Sequence, residues 1–90
     1  MLGRMRHATP DDLDQLEALL AELRALPQLR ERKRGYFSRR SRAFLHFHED
    51  AGELYVDVRL AGAFQRMRIT GRHEQATLLS QVRRELTPLP

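Results

Sequence analysis

The apolar positions change period along the chain, and each change marks an element. Leu13, Leu16, Leu19, Leu20, Leu23 and Leu26 recur at spacings of three and four, which describes an amphipathic helix with one buried stripe. Thr9-Pro10-Asp11-Asp12 supplies its start: a capping hydroxyl, a proline suited to the first helical position, and carboxylates at the positive end of the dipole. Pro27 ends it, because the residue before a proline resists helical geometry. One helix is therefore expected between Thr9 and Leu26. The period then falls to two. Tyr36 and Phe37 predict a short strand from Gly35 to Ser38, and residues 43–48 a second. Leu54, Val56, Val58 and Leu60 alternate with Tyr55, Asp57 and Arg59 to give a third. Phe64 to Ile69 is a fourth, with Met67 and Ile69 inward and Arg66 and Arg68 outward. Glu49-Asp50-Ala51-Gly52 and Ala61-Gly62 read as hairpin turns, while Arg39 to Arg42 reads as a charged turn. The helical period returns with Ala76, Leu78, Leu79, Val82 and Leu86, capped by Thr70 or Gly71. Thr87-Pro88-Leu89-Pro90 cannot continue it.

The order helix, four strands, helix predicts an α+β fold. Short turns make the strands an antiparallel meander, and both helices cover its apolar face to give a two-layer sandwich, α-β-β-β-β-α. Residues 9–87 are expected to form a single domain and residues 1–8 a disordered basic tail. Residues 28–35 read as a basic connector.

Composition narrows the function classes. The chain has no cysteine, which removes thiolate metal sites, thiol redox chemistry, cysteine nucleophiles and a disulfide-stapled scaffold, and makes the cytoplasm the default location. No apolar run is long enough for a signal peptide or a membrane span. Ninety residues bury only a marginal core, so a monomer or a homodimer is expected. The net charge is +4, carried almost wholly by arginine, the better residue for planar contacts to phosphate and carboxylate. A GC-rich coding bias produces the same excess. The first helix is acidic and the stretch from Arg30 to Arg42 is basic, so the molecule is polar end to end.

The stretch Phe44-Leu45-His46-Phe47-His48-Glu49-Asp50 concentrates the candidate chemistry. In a strand, Leu45 and Phe47 point one way and Phe44, His46 and His48 the other. A turn over residues 50–53 sets His48 opposite Tyr55, His46 opposite Asp57 and Phe44 opposite Arg59, and keeps every apolar residue on one face; a two-residue slip satisfies the same pattern with other pairs. The fourth strand then brings Arg66 and Arg68 alongside Arg59 and Asp57, with Asp57 and Arg68 as a cross-strand pair. The open face is expected to carry Phe44, His46, His48, Tyr55, Asp57, Arg59, Arg66 and Arg68.

Three uses of that face compete. The leading one is a binding domain that takes an anionic ligand or a protein partner, without catalysis or cofactor. The second is nucleic-acid binding, with arginines neutralising phosphates and Phe44 and Tyr55 stacking bases. The third is a metal-binding or hydrolytic protein using His46 and His48, with Asp57 or Asp50 as a further ligand or orienting group. No serine elbow, paired carboxylates, phosphate-binding loop or dinucleotide fingerprint is present. No membrane is implied. His7 and His73 read as solvated.

Arg42, His46-Phe47-His48 and Asp50 together resemble the Arg-x-x-x-His-x-His-x-Asp run of a small bacterial and fungal domain family known as luciferase-like. That family also opens with an acidic-leucine helix closed by a Leu-Pro or Trp-Pro break, as Leu26-Pro27 does here, and ends with a leucine-rich helix. The likeness follows the order of elements over residues 11–86 and is one of identity only in the short motif. Leu45 and Glu49 stand where the family has glycine, and a longer segment between its later strands is missing here. The resemblance implies that Arg42, His46, His48 and Asp50 form a shared local feature. It implies no assigned activity.

Overall fold

A computed structural model describes residues 5–87. Its elements in chain order are β1 (Arg6–His7), α1 (Pro10–Gln15), α2 (Glu17–Arg24), β2 (Arg30–Lys33), β3 (Tyr36–Arg39), β4 (Arg42–Asp50), β5 (Glu53–Leu60), β6 (Ala63–Arg68) and α3 (Arg72–Leu86). The fold is α+β, with an antiparallel sheet in the order β2-β3-β4-β5-β6. β1 pairs with the same edge of β4 as β3, through Arg6 with Glu49 and His7 with His48. Ala8 extends this pairing by donating to the Phe47 carbonyl at 3.1 Å.

The four expected strands are β3 to β6, and the sheet is larger than the apolar pattern suggests. Residues 30–33 are a strand, not a connector. Residues 6–7 of the expected tail are a strand as well, while residues 1–4 lie outside the described residues. So does the proline-containing end, residues 88–90.

The N-terminal helix starts as its sequence dictates. Asp12 N–H donates to Thr9 Oγ1 at 3.2 Å, and Thr9 N–H donates to Asp12 Oδ2 at 2.8 Å, a reciprocal capping box. It does not run unbroken to Leu26. Leu16 leaves helical geometry at φ −103°, ψ 11°, and its N–H reaches back to the Asp14 and Leu13 carbonyls in place of Asp12's. This tight turn re-aims the chain so that Leu13, Leu16, Leu19, Leu20 and Leu23 all reach the core. No glycine or proline marks the break. At the other end, Gly71 caps α3. Thr70 instead receives the Leu54 N–H at 2.7 Å, tying the start of α3 to β5.

The core lies between the helices and one face of the sheet. Leu78, Val82 and Leu86 of α3 and the leucines of α1 and α2 pack with Phe37, Leu45, Phe47, Leu54, Val56 and Val58. The β4–β5 register is the expected one: His46 faces Asp57, Phe47 faces Val56 and His48 faces Tyr55. The β5–β6 register is not. Arg66 faces Asp57, Arg68 faces Tyr55 and Arg59 faces Phe64, because the turn at Ala61 and Gly62 holds only two residues and fixes Leu60 against Ala63.

Phe44 also departs from expectation. The β3–β4 register shifts between Phe37 with Leu45 and Ser38 with Ala43, so Phe44 is the extra residue of a bulge. A bulge breaks the alternation of side chains. Phe44 therefore joins Leu45 in the core, 2% exposed.

Three of the four meander hairpins place a glycine at positive φ in the turn: Gly35, Gly52 and Gly62. The β3–β4 hairpin does not. Arg40 and Ser41 occupy the left-handed region at φ 52° and 66°, where a Cβ is disfavoured. Ser41→Gly should stabilise the chain by about 0.5–1 kcal/mol, since relief of the strain exceeds the extra entropy that glycine loses on folding. A urea titration checks this, and an unchanged or lower midpoint would show that the turn stores no strain.

A carboxylate ties α2 to the first hairpin. Glu31 accepts Arg24 Nε at 2.6 Å and Nη2 at 3.1 Å, and it also accepts the Gly35 N–H at 3.0 Å. The Arg24 guanidinium holds its carboxyl below the ordinary range. A depressed carboxyl pKa contributes stability above the unfolded value, near pH 4.5, and that contribution is lost as pH falls through the folded value. Stability should therefore drop as pH falls below about 4.5, and Glu31→Gln should flatten the drop. Denaturant titrations at a series of pH values read both slopes; equal slopes would remove Glu31 from the acid response.

Candidate functional site

The helix-free face of the sheet carries the site, at its centre. β4 turns His46 and His48 outward, because the alternating residues Leu45 and Phe47 are drawn into the core. β5 supplies Asp57 between the core residues Val56 and Val58. Asp57 Oδ2 lies 3.0 Å from His48 Nε2 and 3.6 Å from His46 Nε2. One ligand atom from each of the three residues lies within 4.8 Å of the other two.

His48 is buried although it stands on the helix-free face. β1 is the reason, since its His7 ring stacks on His48 with centroids 5.0 Å apart. Neither ring nitrogen of His48 makes a hydrogen bond. Its Nε2 is close enough to Asp57 Oδ2 for one, so the direction of approach is what fails. A buried polar group without a partner is costly, and a native structure that keeps one calls for an explanation.

The electrostatics of the three groups fit together. Arg66 grips Asp57 with two hydrogen bonds, Nε to Oδ1 at 2.7 Å and Nη2 to Oδ2 at 2.8 Å. That guanidinium, more than the neighbouring imidazoles, holds the Asp57 carboxyl below its usual range. Burial, reinforced by His48, lowers the His46 pKa from the ordinary imidazole value. The centre thus holds an ionised carboxylate beside an imidazole biased toward its neutral form.

Rings frame the centre. Tyr36 stacks on His46 at 5.8 Å with planes 7° apart, and Phe64 meets His46 edge-on at 5.8 Å. The Tyr36 hydroxyl and His7 Nδ1 share a hydrogen bond of 2.7 Å. Tyr36, Phe64 and His7 thus belong to the site although none of them is among the sequence candidates; for Phe64 the signal is its alternation in phase with the outward Arg66 and Arg68. For Tyr36 the signal is strand alternation with the inward Phe37. For His7 there is none, because a two-residue strand has no readable period.

The structure gathers His46, His48, Asp57 and Arg66 of the ten sequence candidates, with Tyr55 beside His48. Phe44 is in the core. Arg68 turns to Glu53 and Glu74 and not to Asp57. Arg59 donates to the Ala43 carbonyl at 3.1 Å and lies over the Phe64 ring. Arg42 and Asp50 occupy opposite ends of the nine-residue β4, some 25 Å apart at the rise of a strand, so they do not share one site.

Among the described residues, no helix is long and apolar enough to cross a membrane. Searches among family models, curated proteins and solved structures match nothing to this chain.

Proposed function

We propose that this chain is a metal-binding domain in which His46, His48 and Asp57 hold a divalent transition ion of the zinc class. The observation that carries the proposal is buried His48, its ring nitrogens unpaired, set within reach of a second imidazole and an ionised carboxylate. Two ligands of one ion with bonds of 2.0–2.1 Å stand at most about 4.2 Å apart. A set already within 4.8 Å closes on an ion with small side-chain adjustments.

Donor chemistry selects the ion. Two imidazoles and one carboxylate suit zinc, cobalt, nickel or iron better than magnesium or calcium, which favour all-oxygen shells. Metal ligation needs a neutral imidazole, and the lowered His46 pKa supports that state. A carboxylate has about four acceptor positions, so Arg66 leaves capacity on Oδ2, the oxygen that faces both imidazoles. The guanidinium charge opposes a cation, and Asp57 between them offsets it. Three protein donors leave coordination positions for water or a further ligand.

The anionic-ligand reading of this central face has less support. Arg66 is committed to Asp57, and Arg68 to Glu53 and Glu74. The likeness to the luciferase-like family remains a proposal about kinship and brings no activity with it.

Cobalt titration tests the proposal. Visible d–d bands should grow to one equivalent in the wild-type chain, and zinc should displace them. Asp57→Asn and His46→Gln should each weaken the binding at least tenfold. Bands of equal strength in both variants would rule out these ligands.

A further inference from the structure

We propose a second site, at the β3–β4 hairpin end of the sheet, that binds a phosphate group through Arg40, Arg42 and Arg59. It uses none of His46, His48 and Asp57, although Phe64 lies between the two sites. The residues surround a cavity of about 190 Å³ whose other walls include Arg39, Phe44 and Glu85.

The first observation is a contrast in pairing. Arg6, Arg24, Arg34, Arg39, Arg66, Arg68 and Arg83 each face a carboxylate, while Arg30, Arg32, Arg72 and Arg84 face none among the described residues but do not line this cavity. Arg40 and Arg42 make no ion pair with any described residue, and Arg59 is held only by a carbonyl and a ring. Three guanidiniums without carboxylates thus gather at a cavity where Arg39 has one carboxylate, Glu85, at 3.7 Å. Like charges set together cost free energy, and a bound anion removes that cost.

The second observation is the backbone. This hairpin alone among the four meander turns lacks a glycine, and it holds Arg40 at φ 52° and Ser41 at φ 66°. Strained backbone that a simpler sequence would relieve points toward a use for the side chains it presents.

The third is preorganisation. Nε of Arg59 donates to the Ala43 carbonyl, and its guanidinium carbon lies 4.3 Å from the Phe64 ring centroid. Its terminal nitrogens remain available in a fixed plane, the geometry that suits two-point contact with phosphate. The Phe44 bulge closes the inner wall. The cavity is smaller than the roughly 300–1,000 Å³ of pockets that enclose whole drug-sized ligands. It fits a phosphate group, from a small anion or from a strand backbone laid across the rim.

The test titrates the full chain with inorganic pyrophosphate and, separately, with an eight-residue oligothymidylate, followed by two-dimensional NMR. The expected result is saturable shifts at Arg40, Arg42, Arg59 and Gly62. Saturation by pyrophosphate identifies a small-anion site; shifts of the same residues with the oligonucleotide alone identify a phosphodiester backbone. The variant Arg42→Gln/Arg59→Gln should weaken the effective probe at least tenfold. The charge-matched control Arg72→Gln/Arg84→Gln should change it less than twofold. Arg42→Gln alone, at an exposed position, should still weaken it at least threefold should the double variant fail to fold. Absence of shifts with both probes, or equal weakening by the two double variants, would overturn the proposal.

Discussion

Zinc at about one hundred times its dissociation constant should raise the unfolding free energy by about 2.7 kcal/mol. For a domain of this size that corresponds to about 10–20 °C in melting temperature. The increment follows from linkage alone: an ion that binds the folded cluster and not the unfolded chain draws the equilibrium toward the fold. The unfolded chain lacks the cluster, because His46, His48 and Asp57 are brought together only by β4–β5 pairing. Magnesium at the same concentration should do nothing, since two of the three donors are imidazoles. Chelation should reverse the zinc effect in full. Asp57→Asn and His46→Gln should each cut the shift to a few degrees. A shift of similar size in both variants would place the ion on other side chains.

Much of this arrangement is legible in the sequence. The period-two alternation from Leu45 to Leu60 keeps Leu45, Phe47, Val56 and Val58 on one face in registers that differ by two residues, and the one with its turn over residues 50–53 brings His46 to Asp57. The capping box at Thr9 and the leucine stripe are equally local. What escapes the sequence depends on non-local pairing. β2, Arg-Glu-Arg-Lys, is a charged edge strand with no apolar face to mark it, and it exists because β3 offers it a partner. β1 is two residues long, and its His7 acquires a role only by lying against His48. The bulge at Phe44 looks like regular alternation until β3 is laid beside it. The arginine partners on β6 are a different matter. A two-residue turn at Ala61-Gly62 already requires Arg66, not Arg68, to meet Asp57.

Replacing His48 by leucine should raise the stability of the metal-free chain and abolish its response to zinc. His48 is 8% exposed, and neither of its ring nitrogens is hydrogen-bonded. Such a group costs about 1–3 kcal/mol relative to one that is satisfied. Leucine has similar volume, needs no partner, and sits in a strand that already buries Phe47 on its other face. Asp57 keeps its two bonds to Arg66 in the variant, so no new unpaired charge is created. A gain of about 1–3 kcal/mol is expected, or upwards of about 4 °C in melting temperature. The two halves of the result bear on different statements. Loss of the zinc shift with a stability gain means that the fold gives up stability to keep an imidazole there, as a ligand site requires. A less stable variant would mean that His48 supports the sheet through its contacts with His7 and Asp57 and belongs to the architecture alone.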